Sequence, residues 1–432
     1  MKKRFLALLC ALTVLLGALP AASALEGEAH RAAGTLAELG LVNGYGGDAY
    51  ALEAPATRTH AAVLLARLSG ASAAEQAAAP AAGFRDAPAW AAQAINYAKA
   101  QNWVTGVTSK SFGPEKPLTA NAWCAMLLRM LGYSDQAGDF TVDSAALFAW
   151  RTGLTSRLYE GQLTRGGLFQ IMADALTFSY RDGGGTVVEK LVAAGFCTRK
   201  EAKALGLLDT ELTARQVADR CTAAVGSLRT FSDHLTYEEG IPSGDSSLFF
   251  ISPDGLAVTC YHSIEGAAYA NVTLVTGETY PVEKVIAYDP ATDMAVLRVS
   301  STSVEGVKTS AFAHLRVAGK QDIRPGDVIY ALGNPLGTGL AISDGIISAT
   351  ERKVDRYAQP CILNTASISQ GSSGGALLNA YGHVIAITTG AYVYGNDMYL
   401  AIPADPVLDV DLTAPGMTLE EVSKAEADRA SK

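Results

Sequence analysis

Residues 371–387 read Gly371-Ser372-Ser373-Gly374-Gly375-Ala376-Leu377-Leu378-Asn379-Ala380-Tyr381-Gly382-His383-Val384-Ile385-Ala386-Ile387. The first five match G-x-S-x-G, which suits a flexible Gly/Ser loop or the strand-to-helix elbow that exposes a nucleophilic serine in doubly wound α/β folds. The elbow needs a helix directly after it, then an acid and a histidine. Here Ala376–Leu378 and Val384–Ile387 read as strands around a turn at Asn379–Gly382, and the only later histidine, His383, lies ten residues on. That excludes the elbow. Upstream the grammar is the same: short runs rich in Val, Ile, Leu, Tyr and Thr at Leu248–Ile251, Leu256–Cys260, Asn271–Thr276, Val282–Tyr288, Met294–Val299, Asp327–Leu332, Ile342–Ala349 and Met398–Ile402. Turn residues such as Pro253-Asp254-Gly255 separate them. Many short strands and almost no helix predict an all-β sandwich or barrel of about 180 residues.

Two residues ahead of the serine complete a pattern. His262 ends the run Ala257-Val258-Thr259-Cys260-Tyr261-His262, and Asp293 opens Asp293-Met294-Ala295-Val296-Leu297. Taken singly, His262 reads as a histidine satisfying a local bond and Asp293 as a cap at a strand start. Taken together with Ser373, each beside a strand, they follow the chain order His, Asp, Ser of the chymotrypsin-type nucleophilic triad.

The first half is built differently. Thr57, Thr119 and Thr164 each precede a segment in which positions four, seven, eight and eleven after the threonine carry Ala61, Leu64, Leu65, Leu68; Trp123, Met126, Leu127, Met130; and Leu168, Ile171, Met172, Ala175. That spacing is one face of an amphipathic helix with threonine as its N-cap. Shorter helical segments precede these: Leu36–Leu41, Ala98–Trp103, Ala149–Leu154 and Leu191–Phe196. In all four the sixth residue is apolar and the fifth is Gly or Asn, residues that end helices in a left-handed conformation. A fourth, degraded copy continues to Thr213 and carries Arg220 at an apolar position. An Ala-rich connector, Ala71–Ala82, and Gly183-Gly184-Gly185 mark breaks.

Composition bounds the rest. The chain has 432 residues, 34 Lys plus Arg and 43 Asp plus Glu, for a net charge of −9. Residues 1–24 join a basic start, Lys2-Lys3-Arg4, to an apolar stretch Phe5–Leu19 and a small-residue site Ala22-Ser23-Ala24, the pattern of a cleaved secretory signal. The apolar stretch is shorter than the roughly 20 residues of a spanning helix, and no later segment is long and apolar enough to cross a bilayer. Acidity without a basic run argues against nucleic acid or an anionic membrane surface as partner. Past the signal lie Cys124, Cys197, Cys221, Cys260 and Cys361, without the C-x-x-C spacing of a zinc site; no metal or cofactor is expected, and Cys197–Cys221 is one possible bridge.

Two resemblances follow from these residues. Phe84-Arg85-Asp86, Trp90-Ala91, Ala94-Ile95, Phe112-Gly113-Pro114, Leu118-Thr119, Met126-Leu127 and Leu131-Gly132 resemble an S-layer homology repeat, and the likeness covers roughly 28–178. It implies a helical bundle that binds an anionic secondary polymer of the cell wall. The Thr-Arg pair that marks these repeats is matched at Thr57-Arg58 and Thr164-Arg165, so Arg58 and Arg165 become the polymer-binding residues; the second repeat has Ala120 instead. An arginine beside free helix N-terminal amides suits an anionic sugar.

Residues 240–405 resemble the HtrA/Deg group of trypsin-like serine proteases. The likeness rests on Tyr288-Asp289-Pro290-Ala291-Thr292-Asp293-Met294-Ala295-Val296-Leu297, on Leu332-Gly333-Asn334-Pro335-Leu336-Gly337 with Gly345-Ile346-Ile347-Ser348, and on Ala401-Ile402-Pro403. Ser372 stands where the family usually has Asn, Thr365 where Asp is common, and Cys260-Tyr261 where Asn residues are common. The resemblance implies a double β-barrel with Ser373 as nucleophile, His262 as base, Asp293 as its orienter, and the backbone N–H groups of Gly371 and Ser373 as oxyanion hole. Ser367, six residues before Ser373, takes the base of the specificity pocket, with Ile368, Thr388, Thr389 and Gly390 around it. The absence of charge there argues against cleavage after Lys or Arg and for a small-to-medium aliphatic residue.

The expectation is a multidomain chain: signal 1–24; all-α repeats at 25–70, 83–134 and 140–179; a degenerate repeat or adapter at 186–228; a trypsin-like double β-barrel at 231–412; and a charged tail at 413–432, with no PDZ-type domain after it. Its expected function is peptide-bond hydrolysis in proteins or peptides at a bacterial cell surface, the chain secreted and held to the wall. The competing reading is a non-catalytic wall-binding protein with a latent protease-like domain.

Overall fold

The structure, a computed structural model, describes residues 27–44, 50–319, 323–392 and 395–431. The expected signal at 1–24 lies outside them. They divide into two units. The first runs to Ala137 and adds Thr141–Ala146 and Tyr159–Leu208; the second comprises Gly138–Phe140, Leu147–Leu158 and the chain from Asp209.

In the first unit the three threonines do cap helices. Thr57, Thr119 and Thr164 precede the helices Arg58–Leu68, Ala120–Met130 and Arg165–Ala175, and each hydroxyl accepts the N–H three residues on. A cap of this kind stabilises a helix by about 1 kcal/mol. All twelve residues of the apolar stripes are buried. The residue before each cap closes a ring of backbone bonds: Ala56 N–H donates to Leu163 O (2.9 Å), Leu163 N–H to Leu118 O (2.8 Å), and Leu118 N–H to Ala56 O (2.9 Å). Three sequence repeats are thus three structural equivalents about one centre. The expected helix stops also hold, since Gly40, Asn102, Gly153 and Gly195 all have φ between 62° and 79°. After each, the next N–H reaches back five residues, as Leu41 does to Leu36 O.

The second unit holds two closed six-stranded antiparallel barrels. The first is β1 (Val225–Phe231), β2 (Gly244–Phe250), β3 (Leu256–Cys260), β4 (Tyr269–Leu274), β5 (Thr279–Asp289) and β6 (Met294–Val299), in the order β1-β2-β3-β6-β5-β4. The second is β7 (Val328–Gly333), β8 (Ala341–Arg352), β9 (Cys361–Asn364), β10 (Ala376–Asn379), β11 (Val384–Ala391) and β12 (Tyr399–Pro403), in the order β10-β11-β12-β9-β8-β7. Phe250, stacked on Phe312 at 4.6 Å, and Tyr280 help fill the first barrel; Ile329, Ile347, Ile362 and Leu377 fill the second. A third cluster joins Val258 and Val296 of one barrel to Leu332, Ala376, Ile387 and Ile402 of the other. This apolar seam fixes the two barrels against each other, and the site lies along it.

Four sequence expectations change. The β-unit begins before 231: β1 lies inside the range read as adapter, and the helix Ala214–Cys221 joins the same unit, with Leu212 N–H bonded to Ala380 O and its carbonyl accepting from Tyr330 Oη. The third repeat is divided, because Leu147–Leu158 belongs to the β-unit. There Arg151, almost fully buried, makes a two-pronged ion pair with Glu278. The tail at 413–432 is charged on one side only: the helix Leu419–Ala430 buries Leu419 and Val422 against the first barrel, and Tyr288 Oη donates to Glu426. Finally, the possible Cys197–Cys221 bridge is not formed; the five described cysteines are buried free thiols.

Candidate active site

His262 sits on the single turn Tyr261–Ser263 that follows β3, and Asp293 on the turn between β5 and β6. Asp289 shapes that turn by accepting from Ala291 N–H and Thr292 Oγ1. Asp293 itself is in the left-handed region (φ 55°), a conformation its short side chain tolerates, and it is buried. One carboxylate oxygen accepts the His262 backbone N–H (2.8 Å) and the other faces His262 Nδ1 (2.7 Å). Burial alone would push the Asp293 carboxyl up. Bonds from the His262 ring and backbone and from Thr389, with the charge of His262, hold it below the ordinary carboxylate value instead. The carboxylate is therefore the stable form, and it orients the ring with Nε2 away from it.

Ser373 lies on the loop between β9 and β10. Gly374 (φ 83°) has to be glycine, because a Cβ there would lie 2.1 Å from Thr259 Oγ1 and 2.2 Å from Ser247 O. Gly371 (φ 92°) has the same constraint from Asn334 O at 2.5 Å. Ser247 of β2 clamps the loop from the other barrel. Its N–H donates to Ser373 O (2.8 Å), and its Oγ donates to Gly371 O (2.7 Å) while accepting from Asn334 N–H (2.8 Å). Leu336, held at φ 57°, gives its N–H to Gln370 O (2.6 Å). In a trans peptide C=O and N–H point opposite ways, so this bond turns the Gly371 N–H away from Leu336. Among the described residues neither the Gly371 nor the Ser373 N–H has an acceptor.

The serine and the aspartate meet through a third residue. The β11–β12 register slips between Thr388 and Gly390, which leaves Thr389 as the extra residue of a bulge. Its carbonyl accepts from Ser373 Oγ (3.1 Å), and its own hydroxyl donates to Asp293 (2.9 Å). Among the described residues the Ser373 hydroxyl bonds that carbonyl and not the imidazole.

The expected pocket divides at the same place. Ser367, Ile368 and Thr388 line a small, half-open cleft with Ala331, Leu332 and Ile342, none of them charged. Thr389 and Gly390 are not among its lining residues. Cys260, His262 and Asp293 also place their ligand atoms within 4.8 Å of one another. As a metal set they are poorly matched: burial and the Asp293 charge keep the Cys260 thiol protonated, and Asp293 already occupies His262 Nδ1. In the first unit Arg58 is stacked 4.9 Å above Phe112 and donates to Phe112 O and Thr105 O, while Arg165 donates to Tyr50 O. Both arginines thus tie loops to the starts of their helices.

Comparison with known proteins agrees with both halves. Residues 246–387 match the trypsin-like peptidase domain, and residues 83–119 the S-layer homology domain. The β-unit is 38% identical over 156 residues to a probable periplasmic serine endoprotease DegP-like of Chlamydia pneumoniae, covering 36% of this chain and 30% of that protein. It is 35% identical over 179 residues to the putative serine protease HhoB of Synechocystis sp., covering 40% of each. A solved structure, an HtrA-type protease AlgW with tripeptide, is 30% identical and covers 46% of this chain and 62% of that one, with a TM-score of 0.40. The chain thus spans 30% to 40% of the length of these two relatives. It carries matches to the S-layer homology domain and to the trypsin-like peptidase domain, and the latter is similar in sequence to HtrA/DegP-type proteases. No helix among the described residues is long and apolar enough to cross a membrane.

Proposed function

We propose that the chain is a secreted serine endopeptidase held at a bacterial cell surface by its helical repeats. The observation that carries the reading is the convergence on Thr389, which holds the Asp293 carboxylate with its hydroxyl and the Ser373 hydroxyl with its carbonyl. A rotation of Ser373 about its Cα–Cβ bond takes Oγ from that carbonyl toward His262 Nε2; resting sites commonly hold such bonds loosely. His262 then takes the hydroxyl proton as Oγ attacks a peptide carbonyl, and Asp293 stabilises the imidazolium that forms. The Gly371 and Ser373 N–H groups receive the oxyanion, each worth about 3 kcal/mol. The proton passes to the leaving amine, and water repeats the sequence on the acyl-enzyme. The uncharged cleft at Ser367, Ile368 and Thr388 favours a small-to-medium aliphatic side chain before the scissile bond.

Fluorophosphonate labelling of the full chain beside Ser373→Ala tests this. Labelling that disappears in the variant is expected; an unlabelled but folded protein would overturn the catalytic reading. Wall attachment through an anionic polymer, with Arg58 and Arg165 at the helix starts, rests on the S-layer homology match and the threefold repeat. Retention of the full chain on purified cell-wall polymer, weakened by Arg58→Gln, is the expected result. Equal retention of both would remove Arg58 from the binding site.

A further inference from the structure

The Thr389 hydroxyl has a second neighbour. Tyr357 Oη lies 2.9 Å from Thr389 Oγ1, on the loop 353–360 that links β8 to β9. Proton counting settles which way that bond runs. A threonine hydroxyl has one hydrogen, and Thr389 gives it to Asp293, an ionised carboxylate with none to return. Tyr357 must therefore be the donor, and the chain runs Tyr357 Oη–H to Thr389 Oγ1–H to Asp293 Oδ2. Burial, with the Asp293 charge as a further contribution, pushes the Tyr357 phenol above its ordinary value, so it keeps its proton. The same loop holds the aspartate's turn as well, because Ala358 N–H donates to Ala291 O (2.9 Å), two residues before Asp293.

We propose that Tyr357 is a positioning residue of the triad: acting through Thr389, it fixes the Asp293 carboxylate, while its loop pins the turn that carries it. A hydroxyl that itself accepts a hydrogen bond donates more strongly, so losing the tyrosine hydroxyl weakens the Thr389–Asp293 bond without touching either residue. The ring of Tyr357 packs on the apolar seam and on Cys361 and Leu363, so Tyr357→Phe preserves the packing and removes one proton.

The inference rests on the peptidase reading, and the test separates the two. Saturation kinetics of fluorophosphonate labelling are measured for the full chain, Tyr357→Phe, Thr389→Val and the double variant. Tyr357→Phe is expected to lower the maximal labelling rate about three- to tenfold, the worth of one hydrogen bond, with the half-saturating probe concentration unchanged. In the Thr389→Val background the same change has no further effect. An unchanged rate for Tyr357→Phe, or an undiminished loss in the double variant, overturns the proposal while the peptidase reading stands. A wild-type chain that does not label overturns both.

Discussion

Replacing Ser247 by alanine is the sharpest test of how the nucleophile loop is held. The side chain is fully buried, and its one hydroxyl serves two backbone groups that have no other partner among the described residues: Asn334 N–H and Gly371 C=O. A buried backbone group left unpaired costs about 1–3 kcal/mol. Two such groups bound the loss at roughly 2–6 kcal/mol, and relaxation of the loop brings the expected value to about 3 kcal/mol. For a unit of this size that lowers the unfolding midpoint by roughly 6–12 °C. Because Gly371 is also one of the two amides proposed for the oxyanion, the fluorophosphonate labelling rate is expected to fall by about tenfold or more where the variant remains folded. Ser246→Ala is the control: its Oγ reaches Leu228 O at only 3.4 Å, so the loss stays below about 1 kcal/mol. Calorimetry and labelling of the three proteins decide it. An alanine variant that melts within about 2 °C of wild type and labels at the same rate would refute the reasoning.

Three further outcomes follow from single residues. Gly374→Ala drives a Cβ into Thr259 and Ser247 at a φ of 83°, and is expected to abolish labelling and destabilise the β-unit by at least about 3 kcal/mol, read by denaturant unfolding. Leu336→Pro removes the N–H that holds Gln370 O and is expected to slow labelling at least tenfold, whereas Leu336→Gly keeps that N–H, relieves the left-handed strain, and labels like wild type. In the helical unit, bonds from Ser111 Oγ and from the Gly113 and Phe112 N–H groups lower the Asp86 carboxyl to about 2. Its folded value is depressed, so its stabilisation is complete above the unfolded value near pH 4 and is lost as the pH falls through about 2. The stability gap between wild type and Asp86→Asn should therefore be constant above about pH 5 and narrow below pH 4; a gap that widens on acidification contradicts this.

What was legible in the sequence follows from how local each signal is. A threonine cap and a left-handed Gly or Asn stop each involve residues within one helical turn, and all of those expectations hold, down to the sign of φ at Gly40, Asn102, Gly153 and Gly195. The missed elements are those whose reason is non-local. In β1, Gly226 weakens the strand signal, yet it is required because a Cβ there would lie 2.6 Å from Val272 of β4. The strand β9 is four residues long and wholly buried, so no alternation marks it. The helix Leu419–Ala430 did carry a local signal, the capping box between Thr418 and Glu421, but a segment with seven polar residues, three alanines and two anchoring residues reads as a tail by composition.

The site divides along the same line. Chain order with strand context groups His262, Asp293 and Ser373 as candidates; in the fold the first two are in direct contact, and Thr389 links the third to Asp293. Thr388 and Thr389 show where such reasoning stops. As neighbours of one type on one strand, they would face opposite sides of a regular ladder, and nothing in their identity says which belongs to the cleft. The bulge decides it: Thr388 gives its hydroxyl to Ser372 O and lines the cleft, while Thr389 is turned to Asp293 and Ser373. Valine at 388 should accordingly lower the melting temperature and alter the preference for the residue before the scissile bond. At 389 it should slow labelling without changing that preference. Equal effects at the two positions would mean that the bulge does not divide binding from catalysis.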